Sequence, residues 1–179
     1  MLRSSAHFNP GRLEVAFVFS APGTKEKDSD CPVSGVTGEN LDRALTHLSR
    51  IAPKIFAAPT RNEYRITNAF PSPLSVALKS KRSEATRAEI LEPKNVRRVL
   101  AELCGCRLVI LCGNKATLLG DAIKRAGYSV VTASHTSNQA LLSRHNTPSA
   151  RKGSTPTERR WLRAHAWAAC LSQRLPTTM

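Results

Sequence analysis

The stretch LEVAFVFSAPGTKEKDSDCPVSGVTGENLD, residues 13–42, decides how the rest of the chain is read. Its first seven residues, LEVAFVF (13–19), have the length and the Val/Phe content of a strand covered on both faces of a parallel sheet. Ser20-Ala21-Pro22-Gly23 then makes a turn, since proline presets one backbone angle and glycine frees the next. The densest group of acids follows: Glu26, Asp28, Asp30, Glu39 and Asp42, among only 13 Asp and Glu in the chain. Leu41, Ala44, Leu45 and Leu48 are spaced for one helix face, with Thr37 as the expected N-cap. A strand, a tight turn, carboxylates and a helix commonly build a site for chemistry on a phosphate-bearing substrate.

Working outward, three further apolar runs have strand length: YRITNAF (64–70), RLVILCG (107–113) and YSVVTAS (128–134). Helical stripes lie between them. Val96, Val99, Leu100 and Leu103 form one after Pro93. Ala116, Leu119, Ile123 and Ala126 form another, stopped by Gly127. Trp161, His165, Ala168 and Leu171 mark a last helix. Strands alternating with helices predict an α/β fold, a three-layer α/β/α domain with a four-stranded, mostly parallel central sheet. The 179 residues suit one domain, 1–179, and there are no internal repeats. The segment 143–160, SRHNTPSARKGSTPTERR, reads as a basic surface loop. Its Arg144, Arg151, Lys152, Arg159 and Arg160 suit phosphate contacts, or a plain solvated linker.

The chain carries 27 Lys and Arg, for a formal net charge of +14. That surplus points to a polyanionic partner, with nucleic acid the first choice and a merely basic protein the alternative. Membrane is not expected, because no long apolar segment or signal-peptide core is present. The five cysteines are odd in number, and Cys104-Gly-Cys106 lacks a second pair at zinc spacing, so no metal site is expected. Buried reduced thiols in a cytoplasmic, monomeric protein is the preferred reading.

Ligands of open α/β sheets bind beyond the carboxyl ends of the strands. Here those ends lead into Ser20-Ala21-Pro22-Gly23, Asn68, Cys112-Gly113-Asn114 and Ser134-His135-Thr136-Ser137. An amide, an imidazole, small hydroxyls and turn backbone form an inventory suited to reading and activating a polar ring. His47, His145 and His165 read as surface or packing residues, while Lys79, Lys81 and Arg82 suit either DNA contact or a soluble loop.

In this order the segments resemble the uracil-DNA glycosylase superfamily, closest to the group with a G-E-x-P-G turn and a P-F-V-G-x-x-G element. Ser20-Ala21-Pro22-Gly23 stands at the first motif. Pro32-Val33-Ser34-Gly35-Val36-Thr37-Gly38, then Leu41-Asp42-Arg43, matches the second in spacing. Thr67-Asn68 is similar to the strand-end T-N, and Ser134-His135-Thr136-Ser137 to the late H-P-S, with Thr136 in place of proline. The resemblance implies a monofunctional DNA glycosylase that flips a nucleotide and hydrolyses its N-glycosidic bond, leaving an abasic site, with no cofactor. It implies that His135 donates to the departing base and that Asn68 reads its Watson–Crick edge. Ser20, Ala21, Pro22, Gly23 and Val33 would line the pocket. Ser34 and Ser137, with Arg144, Arg151 and Lys152, would hold phosphates.

The departures from the pattern bear on substrate. Ser20 replaces the acid of the turn, so Glu26 or Asp28 is expected to position water. Val33 replaces the aromatic that stacks on the base, a contact of roughly 1–3 kcal/mol. The stretch matching the iron–sulfur ligands of some relatives has Ser72 and no N-terminal cysteine pair, so the cluster is not expected. At the position where relatives wedge the duplex stands Gln139, with Leu141, Leu142 or Arg144 as substitutes. The first two departures, at Ser20 and Val33, together imply a bulky pyrimidine, such as a hypermodified cytosine of phage DNA excised in antiviral defence. Repair of plain uracil and a catalytically inactive DNA-binding module are the alternatives. A small-molecule hydrolase or transferase ranks below these, since no nucleophile elbow or Walker sequence is present.

Overall fold

The computed structural model describes residues 4–78 and 81–176; Lys79 lies outside them. Among the described residues five strands form one sheet: β1 (Phe8–Asn9), β2 (Val15–Phe19), β3 (Arg65–Asn68), β4 (Leu108–Cys112) and β5 (Ser129–Ala133). Their order is β1-β3-β2-β4-β5. The four expected strands are all present, trimmed by one or two residues at each end except at Phe19, and all four run parallel. The fifth corrects the expected count. β1 lies antiparallel on β3, pairing Phe8 with Thr67 and Asn9 with Ile66. Two residues are too few to show alternation, so only tertiary pairing defines this strand.

The chain groups into two compact units. One comprises the chain up to Ser34 with Asn62–Ala133, the other Gly35–Arg61 with the chain from Ser134 onward. The first unit holds the whole sheet together with α1 (Thr24–Ser29), α3 (Arg87–Leu91), α4 (Pro93–Glu102), α5 (Asn114–Thr117) and α6 (Gly120–Arg125). Every residue of β2 and β4 is buried, as continuous apolar runs at the centre of a parallel sheet must be. Ala16, Val18, Val109 and Leu111 share one core with Ile90 of α3, Val99 of α4, Ala116 of α5 and Ile123 of α6. Pro93 occupies the first turn of α4, where its missing N–H costs nothing. The single stripe expected from Ala116 to Ala126 is two short helices, because the chain breaks step around Leu118 and Leu119.

The second unit comprises α2 (Val36–Ile51), α7 (Asn138–Arg144), α8 (Pro148–Arg151) and α9 (Pro156–Ser172), with α9 packed on α2, α7 and α8. Leu41, Ala44, Leu45 and Leu48 of α2 are fully buried, as are Ala164 and Ala168 of α9. The N-cap of α2 is Gly35, so Thr37 lies inside the first turn instead of capping it. The segment 143–160 is likewise not a plain loop. It contains α8 and the start of α9, each opened by a Thr-Pro pair: Thr147 and Thr155 cap, and Pro148 and Pro156 fill the first helical position.

Behind β3 a polar network replaces apolar packing. Arg98 of α4 donates to Glu102 at 2.5 Å, to the Asn68 carbonyl at 2.7 Å and to Asn95 Oδ1 at 2.9 Å. Thr67 donates to Glu102 at 2.5 Å, and Asn95 Nδ2 donates to the Ala69 carbonyl at 2.7 Å. The arrangement fixes the backbone on both sides of the Asn68–Ala69 peptide. Removing one ion strands the other in a poorly hydrated site. Arg98→Met is therefore expected to lower the unfolding free energy by about 2–3 kcal/mol, less than for a fully buried pair. Urea denaturation checks this, and adding Glu102→Leu to the same protein should restore part of the loss.

Candidate active site

Because β3, β2, β4 and β5 are parallel, their carboxyl ends lie along one edge of the sheet. Beyond β2, Ser20-Ala21-Pro22-Gly23 is stitched to the chain leaving β3. The Ser20 carbonyl accepts from Phe70 N–H at 2.9 Å, and the Pro22 carbonyl accepts from Leu74 N–H at 2.8 Å. Beyond β4, Gly113 takes φ +94°, open to glycine at little cost, and donates to the Ala133 carbonyl at 2.8 Å.

Asn68 ends β3 at this edge and is only 4% exposed. Its Oδ1 is buried and has no hydrogen-bond partner. An unmet buried acceptor of this kind costs about 1–3 kcal/mol, and native proteins avoid it unless something else meets the need. A ligand N–H is the natural complement.

The acids after the turn divide by role. Glu26 lies in α1, and its Oε2 accepts from Gly23 N–H at 3.0 Å, pinning the carboxylate against the turn. Asp28 is exposed on the same helix. Asp30 accepts from Ala6 N–H at 2.9 Å and ends α1 in a left-handed conformation. Val33 is buried at 5% exposure with φ +46°, a conformation that costs a β-branched residue about 1–3 kcal/mol. The Ser34 hydroxyl accepts from Ser29 at 2.7 Å. Of the lysines and arginines in the connection between β3 and α3, Arg82 is paired with Glu89 at 2.5 Å.

In the second unit, His135 leads into α7. Its Nδ1 accepts from Ser137 N–H at 3.1 Å, so the proton of the neutral ring sits on Nε2, a donor. The ring keeps some surface exposure, yet desolvation pushes its pKa down to about 4. At neutral pH this imidazole is uncharged. Ser137 is also the N-cap of α7, accepting from Ala140 N–H at 3.3 Å. Asn40 of α2 is fully buried and donates to the Thr136 carbonyl at 2.9 Å. Arg144, Arg151 and Lys152 are exposed, and Arg151 also donates to the Asn146 carbonyl. Leu141 is buried at 2% exposure, whereas Leu142 is 50% exposed. His145 hydrogen-bonds Ser134 at 2.8 Å, and His165 stacks on His47 with ring centroids 4.4 Å apart.

Sequence reasoning missed Asn40, Asn95 and Arg98. Asn40 interrupts the apolar face of α2, four residues before Ala44 and eight before Leu48, and that interruption was its signal. Asn95, Arg98 and Glu102 recur at helical spacing along the polar face of α4, where surface charge is the ordinary reading. A cavity of about 260 Å³ is lined by Phe70, Pro71, Glu89, Lys94, Asn95 and Arg98. Its Asn95 and Arg98 are already engaged in the network behind β3, so the unmet acceptor of Asn68 is the better guide to chemistry. Among the described residues, no three His, Cys, Asp or Glu side chains gather as a metal site, and no helix is long and apolar enough to cross a membrane.

In the first unit a buried amide with an unmet oxygen ends β3, and in the second unit a neutral imidazole stands in the chain that follows β5. The family model of the uracil DNA glycosylase superfamily matches residues 6–170, and the chain belongs to that superfamily. Membership supports DNA glycosylase activity, hydrolysis of an N-glycosyl bond in DNA. No curated protein matches the chain.

The histidines make stability depend on pH. Desolvation lowers the pKa of His135, and also of His145 and His165, which nearby cations depress further. The unfolded state, with histidine near 6.5, binds more protons in the acid range, so stability is full above that value and falls as pH drops toward 4. Urea midpoints should fall between pH 7 and pH 5, and His135→Leu should flatten part of that slope.

Proposed function

We propose that the protein excises a pyrimidine carrying a bulky substituent from DNA, with Asn68 reading the base and His135 stabilising it as it leaves. The observation that carries this reading is the buried, unmet Oδ1 of Asn68, an acceptor suited to an N–H on the Watson–Crick edge. As the N-glycosidic bond breaks, the base takes up negative charge and the sugar becomes oxocarbenium-like. A neutral Nε2–H donor stabilises the growing anion, and preorganised donors of this kind contribute about 10²–10³ in rate.

Glu26 is the better of the two acids for holding water, because its bond to Gly23 fixes the carboxylate, whereas Asp28 is exposed. The bulky substrate is favoured by Val33, which offers no aromatic face to a uracil ring. Abasic sites left in invading modified genomes would make such an activity a defence. Arg144, Arg151 and Lys152 supply phosphate contacts, with Ser34 and Ser137 as further hydroxyl partners. Leu142, exposed and apolar, supplies the wedge that fills the stack. A second reading, a module that binds DNA without cleaving it, is favoured by the engagement of Glu26 in the α1 cap.

Incubation with uracil-containing DNA and with hypermodified phage DNA, followed by counting abasic sites, decides substrate. Release from modified DNA supports the proposal, and release of uracil alone overturns the bulky-base part of it. On the active substrate, Asn68→Ala and His135→Ala should each lower kcat by about 10²–10³. Glu26→Gln keeps an acceptor for Gly23 yet loses the charge, so it should lower kcat with an unchanged Tm, while Asp28→Asn should change neither. Binding should weaken steeply with salt, with a log–log slope near −3 if about three phosphates are held.

A further inference from the structure

The proline that follows the histidine in the H-P-S pattern is Thr136 here, and the structure gives the replacement a purpose. Thr136 is fully buried. Its hydroxyl donates to the Thr37 carbonyl, in the first turn of α2, at 3.0 Å. From the other side, Asn40 donates to the Thr136 carbonyl at 2.9 Å and to Asn138 Oδ1 at 3.1 Å. Arg43 in turn donates to Asn40 Oδ1 at 2.8 Å, which fixes the orientation of that amide. The residue between His135 and Ser137 is therefore tied to α2 through both its side chain and its backbone. A proline restricts this backbone covalently. A threonine leaves it freer and must restrict it by hydrogen bonds.

We propose that Thr136 and Asn40 are positioning residues that hold Ser137 N–H on Nδ1 of His135 and thereby keep the ring proton on Nε2. The inference deepens the glycosylase reading and rests on it for its consequence, because a proton on Nε2 is what lets His135 donate to a departing base. The tautomer itself is a property of the free protein. With the clamp cut, the loop loosens, the amide leaves Nδ1, and the neutral ring divides between its two tautomers.

The test uses the whole chain labelled with ¹⁵N at histidine and reads the ring nitrogen shifts of His135 at neutral pH, without DNA. Thr136→Val keeps the shape and removes the hydroxyl; its ring shifts should move from the Nε2–H pattern toward a mixture. Thr136→Ser keeps a hydroxyl and should restore the wild-type pattern. Asn40→Ala cuts the clamp from the other side and should move the ring in the same direction, which carries the test should Thr136→Val fail to fold. On a cleaved substrate, Thr136→Val should lower kcat about 10–100-fold with little change in KM, the scale expected of a misplaced catalytic group. Wild-type ring shifts in folded Thr136→Val or Asn40→Ala would overturn the clamp. So would a Thr136→Ser protein as perturbed as Thr136→Val. Failure of the wild-type protein to release any base overturns the glycosylase reading alone, since the ring shifts still decide the clamp.

Discussion

Parallel pairing of β2 between β3 and β4 is the constraint from which the rest of the first unit follows. Three apolar strands can run side by side in one direction only if long crossovers return the chain to the opposite edge each time. All carboxyl ends then lie along one edge, and whatever residues follow the strands are gathered there. β2 and β4 contribute burial alone, whereas Asn68, the last residue of β3, carries its amide to that edge. Ser20, Asn68 and Gly113 are placed by this geometry, and their chemistry depends on what satisfies their polar groups.

The contrast between two asparagines shows how satisfaction separates scaffold from site. Asn95 spends its amide on two main-chain carbonyls and its oxygen on Arg98, so every strong group is used. Asn68 has its carbonyl held by Arg98 while its side-chain oxygen has no partner. The same short network thus fixes the backbone on which the unmet acceptor stands. A buried polar group that is both rigidly mounted and unsatisfied is difficult to justify by stability, which would be better served by an apolar side chain. Under the proposed function, reading a base would explain both features at once.

Much of this was legible in the sequence, and the rest failed for definite reasons. The four apolar runs announced the parallel strands because fully buried strands need no alternation. The edge strand Phe8–Asn9 is too short to carry a pattern, and α1, with the sequence TKEKDS, has no apolar face from which periodicity could be read. The two Thr-Pro pairs at 147–148 and 155–156 did carry a helix-start signal, but the Pro/Ser/Thr-rich composition around them suggested a loop. Asn68 and His135 stood out because they follow strands. The residues that hold them, Arg98 for one and Asn40 for the other, sit on helices where a polar residue usually means solvent. Residue type alone does not distinguish a brace from a surface charge.

The bond from Ser137 N–H to His135 Nδ1 does more than choose a tautomer. It requires a lone pair on Nδ1, which the protonated ring lacks, so it opposes protonation in the same sense as the desolvation that dominates the shift. For stabilising an anionic base a charged imidazolium is the stronger donor, yet it would be desolvated at a cost and would pass its proton to the base. A neutral donor avoids both. Its proton is far more weakly acidic, so it hydrogen-bonds the anion without being transferred, and the group returns unchanged when the base departs. The architecture around His135 suits that requirement: a partly desolvated ring, an amide that occupies Nδ1, and a threonine that holds the amide where proline would otherwise do so.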